Sequence, residues 1–193
     1  MAADKTIEKR WEEDGLIGVV DGKVVEATDE YMDWEPEGDE TRDAAPRTLY
    51  VRRDVVNSAE IAAHYERQGV EVQSGLHVTV AHSNLPVDWI AVGEDWGGES
   101  DGTFVVAPGG ARLHERLGPD GATVALLFTS SRLTYRHVDI KERGASWDWP
   151  DYQPHVSVAQ DPDKRVNVQA LEPWRGAIKL GPEIFEEVKN DAR

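Results

Sequence analysis

One short pattern occurs twice in this chain and limits its possible folds more than anything else in the sequence. Leu76-His77-Val78-Thr79-Val80-Ala81 and Pro154-His155-Val156-Ser157-Val158-Ala159 agree almost position for position, with the two histidines 78 residues apart. Side chains alternate across a β-strand. His77 and Thr79 therefore share one face of a strand and Val78 and Val80 the other, and His155, Ser157, Val156 and Val158 repeat the arrangement. A fold that accommodates both copies buries two valine faces. If the two polar faces open on one cleft, two imidazoles and two hydroxyls surround whatever binds there.

That set suits phosphodiester cleavage. A base must activate the attacking oxygen and an acid must protonate the leaving oxygen, and imidazole does either near neutral pH. Hydroxyls donate to the non-bridging oxygens on which charge builds. A single His-x-Thr in a strand is weak evidence and is ordinarily structural, but two matching copies are specific. His-x-His spacing is absent and the nearby acids form no recognisable ligand pattern, so no metal and no other cofactor is expected. The other histidines read as ordinary. His64 is a helix-surface residue, His114 sits in an Arg/Glu-rich strand, and strand parity turns His82 away from His77. His137 lies on a helix beside Tyr135 and Arg136; it could reach a cleft, though a helix-surface position is the ordinary one.

Along the chain, Leu16–Val20, Asp21-Gly22 and Lys23–Ala27 read as a β-hairpin, because Asp-Gly suits a turn with positive φ at both positions. Thr28 to Pro46 is acidic and holds Pro36, Gly38 and Pro46, the composition of a solvated linker. The main domain is placed at residues 47–193, after an arm of residues 1–46. In it, strands are expected at Thr48–Arg53, Leu76–Ala81, Thr103–Val106, Arg112–Leu117, Ala122–Phe128, His155–Ala159, Ala177–Leu180 and Glu183–Val188. Helices are expected from Asn57 to Gln68, over Pro86–Val92, and from Ser130 or Ser131 to about Arg143. Frequent hairpin-length links point to an α+β fold with largely antiparallel sheets.

The formal charge of −16 is concentrated in the arm: residues 1–45 carry −10 and residues 46–193 carry −6. This disfavours long nucleic acid, whose binding rests on basic side chains, but leaves room for a small anion held by a few Arg side chains or helix N-termini. The 193 residues contain no Cys, which rules out disulfides and thiolate chemistry within them. No apolar run approaches the roughly 20 residues needed to span a bilayer, and Met1–Arg10 has no apolar core of a secretory signal. No membrane partner is expected, and the cytoplasm is the default compartment.

The twin His-x-[Thr/Ser]-x motifs resemble those of the two-histidine (2H) phosphoesterase superfamily. Further segments narrow the match: Leu49-Tyr-Val, Pro86-Val-Asp-Trp89, Pro108-Gly-Gly110, Gly144-Ala-Ser-Trp147, Tyr152-Gln-Pro-His155 and Leu180-Gly-Pro-Glu-Ile-Phe185. With them, residues 48 to 189 look like the bacteriophage anti-CBASS type 1 phosphodiesterases, which degrade cyclic di- and trinucleotide signals of bacterial anti-phage defence. The resemblance implies a two-lobed α+β fold, with mostly antiparallel sheets lining a central cleft and helices outside. It implies His77 and His155 as acid and base, Thr79 and Ser157 as phosphate ligands, a ribose 2′-hydroxyl as nucleophile, and a bacterial host cytoplasm as the setting. Ser157 departs from the Thr common in the second motif, but both hydroxyls donate. Related domains attached to phage head or portal proteins suggest a phage structural context for the arm. Tyr50, Trp147, Trp149 and Tyr152 are candidates for stacking on bases, and Glu183 for accepting from a base edge. An RNA-end 2′,3′-cyclic phosphodiesterase and a non-catalytic nucleotide-binding or phage structural module are the alternative readings.

Overall fold

The computed structural model describes residues 8–12, 15–20, 23–25, 45–93, 95 and 99–189. The chain divides into two compact units, Met1–Asp43 and Ala44–Arg193. The first is an antiparallel sheet of β1 (Glu8–Glu12), β2 (Gly15–Val20) and β3 (Lys23–Val25), in that order. The β2–β3 pairing is the expected hairpin. Strand β1 was not expected, since Glu-Lys-Arg-Trp-Glu has almost no apolar alternation to mark it. The linker read over Thr28–Pro46 lies, apart from Ala45 and Pro46, outside the described residues.

In the second unit, two antiparallel sheets form around the histidine strands. One has the order β5 (His77–Val87), β4 (Arg47–Val55), β10 (Ile178–Glu186), β6 (Phe104–Val106); the other has the order β7 (Arg112–Leu117), β8 (Thr123–Phe128), β9 (His155–Gln160). Helices α1 (Ser58–Glu66), α2 (Trp89–Val92) and α3 (Ser131–Glu142) complete an α+β fold. The two halves repeat one plan: β4-α1-β5 and β8-α3-β9 are each a strand, a helix and an antiparallel strand that opens on a motif histidine. Both motif strands lie at a sheet edge, and β5 and β9 pack against each other. The backbone N–H of Gln73, just before β5, donates to Val158 O of β9 at 2.9 Å.

The core follows from strand alternation. Leu49, Val51, Val78, Val80, Val124, Leu126, Val156 and Val158 have no solvent exposure. Ser130 caps α3 by accepting from Leu133 N, and Gly144 takes the positive φ of 103° that ends the helix. Several expected elements shift. Asn57 precedes α1, but its side chain does not cap the helix; it spans to β10 instead, donating to Ala177 O and accepting from Lys179 N. Pro86 belongs to β5, and the short helix begins after Asp88, whose carboxylate accepts from Ile90 N and Ala91 N. The two expected C-terminal strands are one strand, β10. Gly181-Pro182 is a bulge within it, which accommodates a residue without an N–H.

Behind this bulge lies a buried ion network. Glu183 is bound by Arg136 through Nε and Nη2, at 3.1 and 2.9 Å, and by Arg53 at 3.4 Å. Arg53, 1% exposed, also reaches Asp95 at 2.8 Å and the carbonyls of Gly102 and Gly181. Removing one member of a buried ionic set strands its partners. Glu183→Ala is expected to lower stability by about 3–5 kcal/mol, read from urea unfolding. A loss below about 1 kcal/mol, the range of surface pairs, would contradict this role.

Candidate active site

The two motif histidines are held in the same way. His77 Nδ1 donates to Gly75 O at 2.8 Å, and His155 Nδ1 donates to Gln153 O at 2.9 Å, each to the carbonyl two residues upstream. A carbonyl only accepts, so both Nδ1 atoms carry hydrogen and Nε2 is the nitrogen left for proton transfer in each ring. The rings are close enough that charge on His77 adds to the lowering of the His155 pKa, of which burial is the larger cause. Ser157 lies opposite Ala125, on the same face of β9 as His155.

Tyr50, on β4, turns its hydroxyl into the first motif. Its oxygen is 2.9 Å from His77 Nε2 and 3.1 Å from Thr79 Oγ1, bridging the imidazole and the hydroxyl that the motif places side by side. Burial raises its pKa, so the phenol stays protonated, and its hydroxyl donates to His77 Nε2 whenever that nitrogen carries no proton. Tyr152 grips the same motif from the other half of the fold, donating to Thr79 O at 3.0 Å. Its ring stacks on His137, with centroids 4.1 Å apart and planes 7° from parallel, and Trp147 packs against both. His137 is thus no surface residue. It is 3% exposed, its Nδ1 donates to Val80 O, and burial lowers its pKa.

Two further placements differ from the sequence reading. Glu183 does not join the histidines. It pairs with Arg53 across β4 and β10, on the face opposite Tyr50, while Glu186, opposite Tyr50, is the β10 carboxylate on the histidine side. Glu186 accepts from Arg52 Nε at 3.2 Å, and that bond lowers its pKa. His82, in contrast, shares the face of His77. On β4, Val51 pairs with Ala81 and its neighbour Arg52 with Thr79, which leaves Val80 as an extra residue in β5. The bulge reverses parity after the motif. Strand β9 does the same at Val158, with Val124 opposite Ala159 and Ala125 opposite Ser157. The shared Thr/Ser-Val-Ala ending was the available sequence signal.

The arrangement is two imidazole–hydroxyl pairs on adjoining edge strands. Residues 47–193 match the family model described as anti-CBASS protein Acb1, and the chain belongs to that family. It is 47% identical over 153 residues to the anti-CBASS protein Acb1 of Sphingomonas paeninsulae, covering 77% of this chain and 24% of that protein. It is 48% identical over 149 residues to the one of Caulobacter sp. (strain RHG1), covering 76% and 23%. Against the Acb1 of Enterobacteria phage T4 the figures are 31% over 84 residues, 44% of this chain and 49% of that protein. The chain thus spans about a quarter of the length of the first two relatives. Among solved structures, apo LigT of E. coli aligns with a TM-score of 0.46 at 14% identity, over 75% of this chain and 95% of that one. Among the described residues, no helix is long and apolar enough to cross a membrane.

The burial of His155 and its proximity to His77 have a measurable consequence. In an NMR titration the His155 ring is expected to have its midpoint below the ordinary value of about 6.5, and His77→Gln should move that midpoint upward by removing the neighbouring charge. An unchanged midpoint would show that the two rings do not sense each other.

Proposed function

We propose that this chain is a metal-independent phosphodiesterase that cleaves cyclic di- or trinucleotides of bacterial anti-phage defence. The observation that carries the reading is the pair of matched motifs, each with its Nδ1–H tied to an upstream carbonyl and its Nε2 left for proton transfer. Family membership supports the setting. In the proposed reaction a ribose 2′-hydroxyl attacks the adjacent phosphorus while one imidazole takes its proton. The P–O2′ bond forms, the P–O5′ bond breaks, and the other imidazolium gives its proton to the departing O5′. The ring opens to a 2′,3′-cyclic phosphate, which water can then open with the two roles exchanged. The lowered pKa of His155 suits it to act as the first base, with His77 as the acid. Thr79 and Ser157 donate to the non-bridging oxygens. The Tyr50 hydroxyl, between His77 Nε2 and Thr79 Oγ1, occupies the place a phosphate oxygen would take and yields it to substrate.

An internal nucleophile fits a metal-free site. A tethered hydroxyl avoids the entropy of bringing in water, an advantage of several kcal/mol. Trp147 and Tyr152, packed on His137, are proposed to wall the cleft beside the substrate, and Tyr50 to border it. The acidic arm, residues 1–46, is proposed to serve a partner in a phage structural setting and to be dispensable for cleavage.

Two results test this reading. A 3′–5′ cyclic dinucleotide containing adenine should be cut in EDTA, its analogue lacking the adjacent 2′-hydroxyl should resist, and His77→Ala or His155→Ala should each lose about 10²- to 10⁴-fold. Equal rates for the ribose and 2′-deoxy forms would replace the internal nucleophile by water, and cleavage confined to RNA ends would replace the substrate. A chain beginning at residue 47 should cleave at the full-length rate; a folded truncation without activity would give the arm a part in the site.

A further inference from the structure

The bulge that closes each motif breaks the symmetry between the two halves. In β9 it brings Gln160 to the face of His155, where the amide is engaged by neighbours: its Nε2 donates to Gln73 Oε1 at 3.3 Å, and its Oε1 accepts from Thr123 Oγ1 at 3.2 Å. In β5 the equivalent position is His82, and no hydrogen bond from the described residues reaches its ring. Nδ1 is enclosed without a partner. Nε2 is therefore the ring nitrogen left to meet a ligand, and it is a donor in the tautomer that carries its hydrogen there.

The surroundings of His82 are aromatic. Tyr50 meets the ring edge-on, with centroids 5.9 Å apart, and Tyr50 also contacts His77 at 6.4 Å. Trp149 meets it edge-on at 5.7 Å from the other side. Trp149 is 51% exposed, and Trp147 supports it from behind with centroids 4.6 Å apart. The segment that carries these tryptophans is pinned to β5 at several points. Ser146 N donates to Ser83 Oγ at 2.8 Å, Asn84 Nδ2 donates to Asp148 Oδ2 at 2.7 Å, and Tyr152 Oη donates to Thr79 O at 3.0 Å. The exposed indole is therefore held in place before any ligand arrives, which lowers the ordering cost of binding.

We infer that His82 and Trp149 form a purine subsite, in which the base stacks on Trp149 and accepts a hydrogen bond from His82 Nε2 through a ring nitrogen or carbonyl. Four strand positions separate His82 from His77 once the bulge is allowed for, about 13 Å, a distance one nucleotide bridges with its phosphate at His77 and its base at His82. Gln160 is a flexible amide engaged with Gln73 and Thr123, and it is not an aromatic ring that could form the edge-on contacts His82 makes with Tyr50 and Trp149. The two ends of the cleft thus treat the two nucleotides of a substrate differently. This inference rests on the proposed cleavage of cyclic oligonucleotides and adds the residues that recognise a base.

The test is steady-state kinetics of the full chain on two cyclic dinucleotides, one with two adenines and one with two uracils. Stacking on an aromatic residue typically corresponds to roughly a 5- to 150-fold change in affinity. Trp149→Ala should raise KM for the diadenylate by an amount in that range, more than it lowers kcat, and should have a smaller effect on the diuridylate. His82→Phe should raise KM for the diadenylate in the same way, and His82→Gln, which keeps an N–H donor, should recover most of the loss. If Trp149→Ala does not fold, the two His82 variants decide the matter alone. A diadenylate KM within twofold of wild type in His82→Phe, or an equal rise for both substrates, overturns the subsite while leaving the cleavage reading intact. Failure of the wild type to cleave either ring overturns that reading and the subsite with it.

Discussion

Burial of four valines is the constraint on which the rest of this structure depends. Val78, Val80, Val156 and Val158 have no solvent exposure. Sealing each valine contributes about 1.5–3 kcal/mol, and alternation then leaves His77, Thr79, His155 and Ser157 no face but the opposite one. Because β5 and β9 are edge strands that pack against each other, the two polar faces adjoin. The site is a by-product of the core in this sense: a one-residue slip in either strand would place a histidine in the interior and a valine in the cleft.

On that frame, hydrogen bonds set the chemistry. The carbonyls of Gly75 and Gln153 fix the same tautomer in both rings, so the halves match in presenting Nε2. The environment then separates them. His155 is the histidine whose pKa burial lowers, and His77 is the one with a tyrosine hydroxyl against its Nε2. The proposed division of the two rings into base and acid draws on these unlike surroundings. Tyr152 ties the halves together. It belongs to the approach to the second motif and holds the backbone of the first, and its ring is braced by the buried His137.

Much of this was legible in the sequence because it follows from local alternation. The twin motifs, their strand faces, the Ser130 cap and the Gly144 stop depend on nearest neighbours along the chain. What escaped depends on one extra residue or on distant partners. Regular parity turned His82 away, and only the pairing of β4 with β5 reveals that Val80 is a bulge. Gly181-Pro182 read as a break between two strands, whereas it is a kink within one that leaves Glu183 opposite Arg53. His137 read as a surface residue because nothing in α3 announces that Tyr152, fifteen residues later, will stack on it. Glu183 resembled a free acceptor because its two arginine partners come from β4 and α3.

The central claim is that His77 and His155 hold one phosphate between them. The most direct measurement is an NMR titration of the histidine ring protons with a 2′-deoxy cyclic dinucleotide, which should bind without turning over. The account predicts that the His77 and His155 resonances shift together along one isotherm that saturates at one ligand per chain. A shift confined to one of the two rings, or in neither at saturating ligand, would contradict it.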